Sequence, residues 1–310
     1  MANKRPTYSR EQVAQYYDRL NLPDEQREFD IAGLKPEDEL AYLSLLQKLH
    51  LVAIPFENLT LHYSHHRQVT VHPEELFKKI IGDNNGRGGY CMENNCLFGT
   101  LLRSIGFKLY SAGGRVYEGD HWSGWAHMVN IVTIGGSRYH VDVGFGANGP
   151  TKPLELDRNG VTHEQIPPAS MRLSWRNLPE NTDEDQRLWV YEHRMDDKSE
   201  FQTTYCFSEL EFLPYDYIVA NYYTSTNPKV LFTQRIIGEK KILGGDKDDE
   251  LVGNLILSNN DLKWRIRGNK EREIKFNSEE DRLKALEDHF GIRFSESERD
   301  SNKGMVSQIR

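Results

Sequence analysis

Behind Ser9, the residues Val13, Tyr16, Tyr17 and Leu20 recur at helical spacing, and Ser9 stands three positions before Gln12 as in a capping box. This pattern predicts a first helix. Leu40, Leu43, Leu46 and Leu49 form a second apolar stripe. Pro73 near a start, Leu76, Phe77, Ile80 and Ile81 along one face, and Gly82 at an end predict a third helix. The stretch CMENNCLFGTLLRSIGF, beginning at Cys91, supplies a fourth, with Phe98, Leu101, Leu102 and Ile105 inward and Gly106 closing it. Residues 1–107 read as a helical bundle.

After Leu109 the period changes. Short apolar and aromatic runs cut by glycine (LYSAGGRVY, HMVNIVTIGGSRYHVDVGF, MRLSW, RLWVYEHR) predict strands of a β-barrel or curled sheet over 108–213. Residues 157–187, rich in Asp, Asn, Pro and Glu, read as a long surface insertion of unassigned structure. From Pro214 a smaller mixed part is expected, 214–310. It holds NYYTSTNP, a hairpin in LVGNLILSNNDLKWRIR and a last helix, SEEDRLKALEDHF, stopped by Gly291. The polar run from Ser295 onward reads as a mobile tail. The fold class expected is α+β.

Composition narrows the chemistry. A chain of 310 residues can bury a sizeable core. Its formal charge of -8, with no long Lys/Arg run, argues against nucleic-acid binding. Three cysteines without short paired spacings fit neither a disulfide scaffold nor a metal site, so a cytoplasmic setting and no metal are expected. No stretch approaches the roughly 18 apolar residues of a membrane span, and no leader pattern opens the chain, so no membrane association is expected.

The candidate chemistry centres on RGGYCMENN, residues 87–95. Cys91 falls in the first turn of the fourth helix, where unpaired N–H groups and the dipole favour an anion, and Gly88-Gly89 allows close backbone approach. Cys96, five residues on, faces roughly the opposite side. A base is offered by the hairpin around Gly135-Gly136. If those two glycines form the turn, Ile134 faces Ser137 and Asp142 faces Val129, which puts His127 diagonal to Asp142 on one face, roughly 7–8 Å away at the backbone. A three-residue loop would put the two on opposite faces. GFGANG, residues 144–149, has the letters of a dinucleotide fingerprint, but Pro150 and Pro153 bar the helix that should follow. It reads instead as a loop beside Asp142.

RGGYCMENN, then SGWAHMVNIV, then YHVDVGFG, with IPFENLTLH upstream, four motifs in the right order and spacing from Ile54 to Pro150, resemble the arylamine N-acetyltransferases, in their eukaryotic microbial form. The resemblance is thinner beyond Pro214. It implies a helical bundle, a β-barrel and a mixed α/β lid. It also implies ping-pong transfer of an acetyl or related short acyl group from acyl-CoA, as co-substrate rather than resident cofactor, to aromatic amines, hydrazines or hydroxylamines. Motif by motif, the resemblance makes Cys91 the nucleophile, His127 the base and Asp142 its orienting carboxylate. It places Ser123, Gly124 and Tyr223 at coenzyme A contacts, Phe56 and Phe145 in the acceptor pocket, and Glu57 with Arg87 in a structural ion pair. With Arg87 so occupied, the catalytic motifs hold no free cation for a malonyl carboxylate, and acetyl-CoA or propionyl-CoA is expected as donor. The alternative reading is a Cys-His-Asp amide hydrolase or transglutaminase-like enzyme, which shares the triad and differs in the acceptor.

Overall fold

The computed structural model describes residues 5–309. Helix α1 (Arg10–Arg19) opens with both bonds of the capping box: the Gln12 amide donates to the Ser9 hydroxyl at 3.2 Å, and the Ser9 amide to the Gln12 side chain at 2.8 Å. Helix α2 (Pro36–Ala53) buries Leu43 and Leu46 and half-covers Leu40 and Leu49. Pro55 follows its end, and the chain extends as a two-residue strand, β1 (Phe56–Glu57). Helix α3 (Pro73–Phe77) runs on as a wider π turn to Gly82. Helix α4 (Cys91–Ser104) is buried along its length except at Cys96, Arg103 and Ser104, so the other elements pack around it.

The strands β2 (Lys108–Val116), β3 (His127–Ile134), β4 (Ser137–Val141), β5 (Leu154–Glu155), β6 (Thr162–Glu164), β7 (Ser170–Arg176), β8 (Leu188–Arg194) and β9 (Gln202–Glu211) form one antiparallel sheet in the order β5-β4-β3-β2-β9-β8-β7-β6. It curls without closing into the expected barrel. Its edges β5 and β6 are two and three residues long and do not pair with each other among the described residues. Pro150, Pro153, Pro167 and Pro168 flank those edges and have no N–H to extend a ladder. Residues 157–187 therefore do more than decorate the surface, since β6 and β7 belong to the sheet. One face of β3 and β4 sends Val132, Ile134 and Val141 into the helical core beside Phe98, Leu101 and Leu102.

A second sheet has the order β1-β10-β11-β12-β13, with β10 (Ile237–Gly244), β11 (Glu250–Ser258), β12 (Asp261–Ile266) and β13 (Asn269–Lys275). The hairpin expected at Asn259-Asn260 is present, Ser258 pairing with Asp261. Helices α5 (Pro214–Thr226) and α6 (Leu231–Gln234) precede this sheet. Helix α7 (Glu279–Ala285) follows it, extends as a π turn to Phe290, and stops at Gly291 in the left-handed region, φ 72°. Helix α8 (Glu296–Asp300) comes last. The run expected to be a mobile tail is packed: Ser301, Asn302 and Ser307 are buried, and the fully buried Arg282 donates to Ser307 O at 3.0 Å. Composition hid this because short polar side chains serve a buried cation as readily as they serve water. No helix among the described residues is long and apolar enough to cross a membrane.

Strand β1 joins the second sheet, Phe56 opposite Glu239, although it lies in the stretch read as helical. Glu57 secures it. Its buried carboxylate accepts from Arg87 Nε at 2.9 Å, from Gly88 N at 3.1 Å and from Leu59 N at 2.6 Å. Burial pushes the carboxyl's pKa up, but the charges of Arg87 and Lys79 outweigh it and hold the value at about 2. Arg87→Ala leaves this carboxylate buried and underpaired, and should cost about 3–5 kcal/mol, read from the urea midpoint. Lys284→Ala, which removes the exposed partner of Asp288, should leave that midpoint in place. Because folding depresses the Glu57 pKa, its stabilisation is complete above the ordinary value near 4.5 and is lost as pH falls toward about 2. Glu57→Gln should flatten that acid limb.

Candidate active site

The turn before α4 is shaped by close packing. A Cβ on Gly88 would lie 1.9 Å from Pro55 O, and one on Gly89 would lie 2.5 Å from the Glu93 Cβ, so neither position admits a side chain. The Tyr90 amide donates to Glu93 Oε2 at 3.1 Å, and Glu93 pairs with Lys79 Nζ at 2.7 Å, which fixes the helix start at Cys91. The Cys91 Sγ sits 3.6 Å from Ala126 O, at the entry to β3.

Ile134 pairs with Ser137 and Asn130 with Val141, the register of a two-residue Gly135-Gly136 turn. His127 and Asp142 consequently meet: Nε2 donates to Asp142 Oδ2 at 2.8 Å, with both side chains almost wholly buried. The other ring nitrogen, Nδ1, is left for the Cys91 thiol, which adds to the rise in the imidazole's pKa. Burial opposes charge on both partners. The carboxylate nevertheless raises the imidazole's pKa well above its ordinary value, and the imidazole lowers the carboxyl's. Asp142 Oδ1 accepts from Asn95 Nδ2 and from Gly144 N, each at 2.8 Å. Asn95 also donates to Met128 O at 2.7 Å and accepts from Val143 N at 3.0 Å, tying α4, β3 and the loop after β4 into one frame. A Cβ on Gly144 would lie 2.7 Å from the Cys91 Cα.

Aromatic rings wall this site. Phe145 meets the His127 ring edge-on at 5.4 Å between centroids, and Tyr205 packs on both at 4.8 and 4.7 Å. Phe56 shares an apolar cluster with Tyr90, Cys91 and Met92. Phe232 contacts Phe56 and Tyr90 at 6.0 and 5.6 Å. The remaining expected contacts lie further out. Ser123 is tied to Val116 by two bonds on the connection leading to β3, and a Cβ on Gly124 would meet open space. Tyr223 stands on the exposed face of α5 and touches none of Cys91, His127 or Asp142 among the described ring contacts and hydrogen bonds. Cys96 lies across α4, its thiol donating to Val71 O at 3.4 Å and its pKa pushed up to about 12 by burial. A cavity of about 950 Å³ lies on that side, lined in part by Val71, Cys96 and Tyr217; Cys91 does not line it. Among the described residues no cluster of His, Cys, Asp and Glu could hold a metal ion.

Sequence reasoning missed four neighbours. Asn95 carried a readable signal, a polar side chain four residues after Cys91 and so on its helix face. Tyr205 and Phe232 carried none. Lys241 also carried none: fully buried on β10, it donates to Gly146 O at 3.1 Å, Ala147 O at 2.9 Å and Asn254 Oδ1 at 2.7 Å, and pairs with Glu239 at 3.0 Å. It holds the loop that carries Phe145.

Residues 39–299 match the N-acetyltransferase family model. An N-malonyltransferase, FDB2, of Gibberella moniliformis is 34% identical, covering 96% of this chain and 92% of that protein. The pineal gland arylamine N-acetyltransferase isozyme NAT-10 of Gallus gallus is 28% identical over 70% of this chain and 77% of its own. Among solved structures, the arylamine N-acetyltransferase of Mycobacterium marinum in complex with CoA superimposes with a TM-score of 0.75 at 26% identity, covering 96% of this chain and 99% of that one. With a family model spanning most of its length and relatives aligned nearly end to end, this chain belongs to the arylamine N-acetyltransferase family.

Proposed function

We propose that the protein is an acyl-CoA-dependent N-acyltransferase working by a ping-pong cycle through a Cys91 thioester, with small aromatic amines, hydrazines or hydroxylamines as acceptors. The observation that carries this reading is the His127–Asp142 pair set against the thiol at the start of α4. In the first half-reaction the Cys91 proton passes to His127 Nδ1 as Sγ attacks the thioester carbonyl, and the departing CoA sulfur takes that proton back. In the second, the acceptor nitrogen attacks the Cys91 thioester, His127 receives the amine proton, and Sγ leaves and is reprotonated. Asp142 holds the ring and favours the imidazolium that each step forms. The first-turn N–H groups of α4 can stabilise the oxyanion.

Ser123, Gly124 and Tyr223 are proposed for coenzyme A, and Phe56 and Phe145 for the acceptor ring. The chain is proposed to divide at about 107 and 213 into a part carrying the nucleophile, a part carrying His and Asp, and a lid. A hydrolase would need water where this site is lined by Phe56, Phe145, Tyr205 and Phe232, so amine acyl transfer is the better supported of the two readings.

For the donor, Arg87 is engaged by Glu57 as the motifs implied, yet the Gibberella relative is named an N-malonyltransferase. One cation outside the motifs bears on this. Arg115 follows Gly114, which pairs with His127 across the β2–β3 ladder, so the alternation of side chains puts Arg115 on the opposite face of the sheet, beside Cys206; there its guanidinium donates to Ser123 O at 3.1 Å and lies 4.2 Å from the Trp125 ring centroid. It makes no ion pair with a carboxylate among the described residues. On that opposite face Arg115 is not placed to meet an acyl tip at Cys91, and we propose malonyl-CoA as the preferred donor on the likeness to that relative alone.

Incubation with acyl-CoA and no amine should add one acyl mass to the peptide containing Cys91; modification of Cys96 or Cys206 instead would overturn the assignment. His127→Ala and Asp142→Asn should both fold and lose turnover severely, by about 10⁴ for the latter, in steady-state assays of CoA release. Across malonyl-, acetyl- and propionyl-CoA with one common amine, kcat/KM should favour malonyl-CoA at least about tenfold, some 1.4 kcal/mol of differential transition-state binding. Equal values for the three donors would refute that preference.

A further inference from the structure

The packed segment after α8 is linked by one chain of hydrogen bonds to a ring beside Cys91. Asn302 Nδ2 donates to Ser307 Oγ at 3.1 Å, Ser307 Oγ lies 2.8 Å from His62 Nδ1, and His62 Nε2 lies 2.9 Å from Phe232 O. A carbonyl can only accept, so Nε2 carries the hydrogen. Nδ1 is then an acceptor, and the Ser307 hydroxyl must donate to it. Every bond runs one way, from Asn302 to Phe232, and Asn302, Ser307 and His62 are almost wholly buried. Phe232 belongs to α6, four residues long, where Leu231 is exposed and the rest are half-buried. Besides His62, the Phe232 carbonyl is held by Asn58 Nδ2 at 2.7 Å, which also reaches Arg235 O at 2.7 Å. The Phe232 ring reaches inward to Phe56 and Tyr90, the residue before Cys91.

We propose that His62 and Ser307 are positioning residues for the acyl acceptor: through this relay the segment 301–307 sets how Phe232 lies over the Cys91 pocket, and thereby which aromatic amines are taken. The inference rests on the acyltransfer reading above. It separates the two half-reactions, because the relay ends on the backbone carbonyl of Phe232, whose ring walls the pocket, and reaches none of Cys91, His127 and Asp142. Acylation of Cys91 therefore proceeds whether or not the relay is intact, whereas the fit of a ring-bearing acceptor depends on it.

Ser307→Ala tests this with a small change. It removes only the donor to His62 Nδ1 and keeps the Ser307 carbonyl that Arg282 binds. Two rates are measured on the same preparations: Cys91 acylation by acyl-CoA without amine, and amine-dependent turnover with a one-ring and a two-ring arylamine. Losing one neutral hydrogen bond corresponds to about three- to tenfold. That loss is expected in kcat/KM for the two-ring amine, carried by KM, with acylation unchanged within about twofold. Ser307→Thr, which keeps the hydroxyl, should restore the amine KM. In a Phe232→Ala background Ser307→Ala should have no further effect, since the coupled ring is gone. An unchanged amine KM, an equal fall in both half-reactions, or full additivity with Phe232→Ala would each overturn the proposal. Failure of the unsubstituted protein to acylate Cys91 would instead overturn the acyltransfer reading itself.

Discussion

A single buried carboxylate organises the candidate active site. Asp142 has no access to water, and an unsatisfied anion there would cost several kcal/mol. It is satisfied from three directions: His127 from β3, Asn95 from α4 and Gly144 from the loop after β4. Each donor is thereby fixed relative to the others. The helix that begins with Cys91 is set against the hairpin that carries His127, and the thiol meets the imidazole as a consequence. Gly144 is confined to the smallest residue because a Cβ there would lie 2.7 Å from the Cys91 Cα.

A second layer of charge lies beneath the turn that precedes Cys91. Glu57 and Glu93 share Lys79, Glu57 takes Arg87 as well, and both carboxylates hold backbone amides on the approach to Cys91. The two acids do not behave alike. Its cations outweigh burial at Glu57 and lower its pKa, whereas at Glu93 burial dominates and raises it. The site thus stands on an ion network whose removal would act on stability first and on chemistry only through the position of the turn.

The C-terminal sheet reaches the same centre without supplying any of Cys91, His127 or Asp142. Through β1 it pairs with the chain next to Phe56, through Lys241 it holds the carbonyls of Gly146 and Ala147, and through α6 it presents Phe232. Aromatic walls follow from this convergence. They exclude water from a thioester and offer stacking surface to a flat acceptor, so one arrangement suits both halves of the proposed cycle.

Local patterns determined a good deal here by themselves. The helix at Ser9, the glycine stop at Gly291 and the two-residue turn at Gly135-Gly136 each depend on interactions within a few residues, and each was readable as such. The turn alone was enough to place His127 against Asp142, because side chains alternate with a period of two and the count from the turn is unambiguous. Asn95 was half-legible, its helix face known and its partners not. The rest depended on chain segments far apart in sequence: whether the curled sheet would close, that β1 would cross into the second sheet, that Lys241 would be buried whole, and that a polar segment past Ser295 would pack on Arg282 and His62. A buried polar side chain and a solvated one look identical in sequence. Only the tertiary structure decides which of them has lost water and must find its hydrogen bonds within the protein.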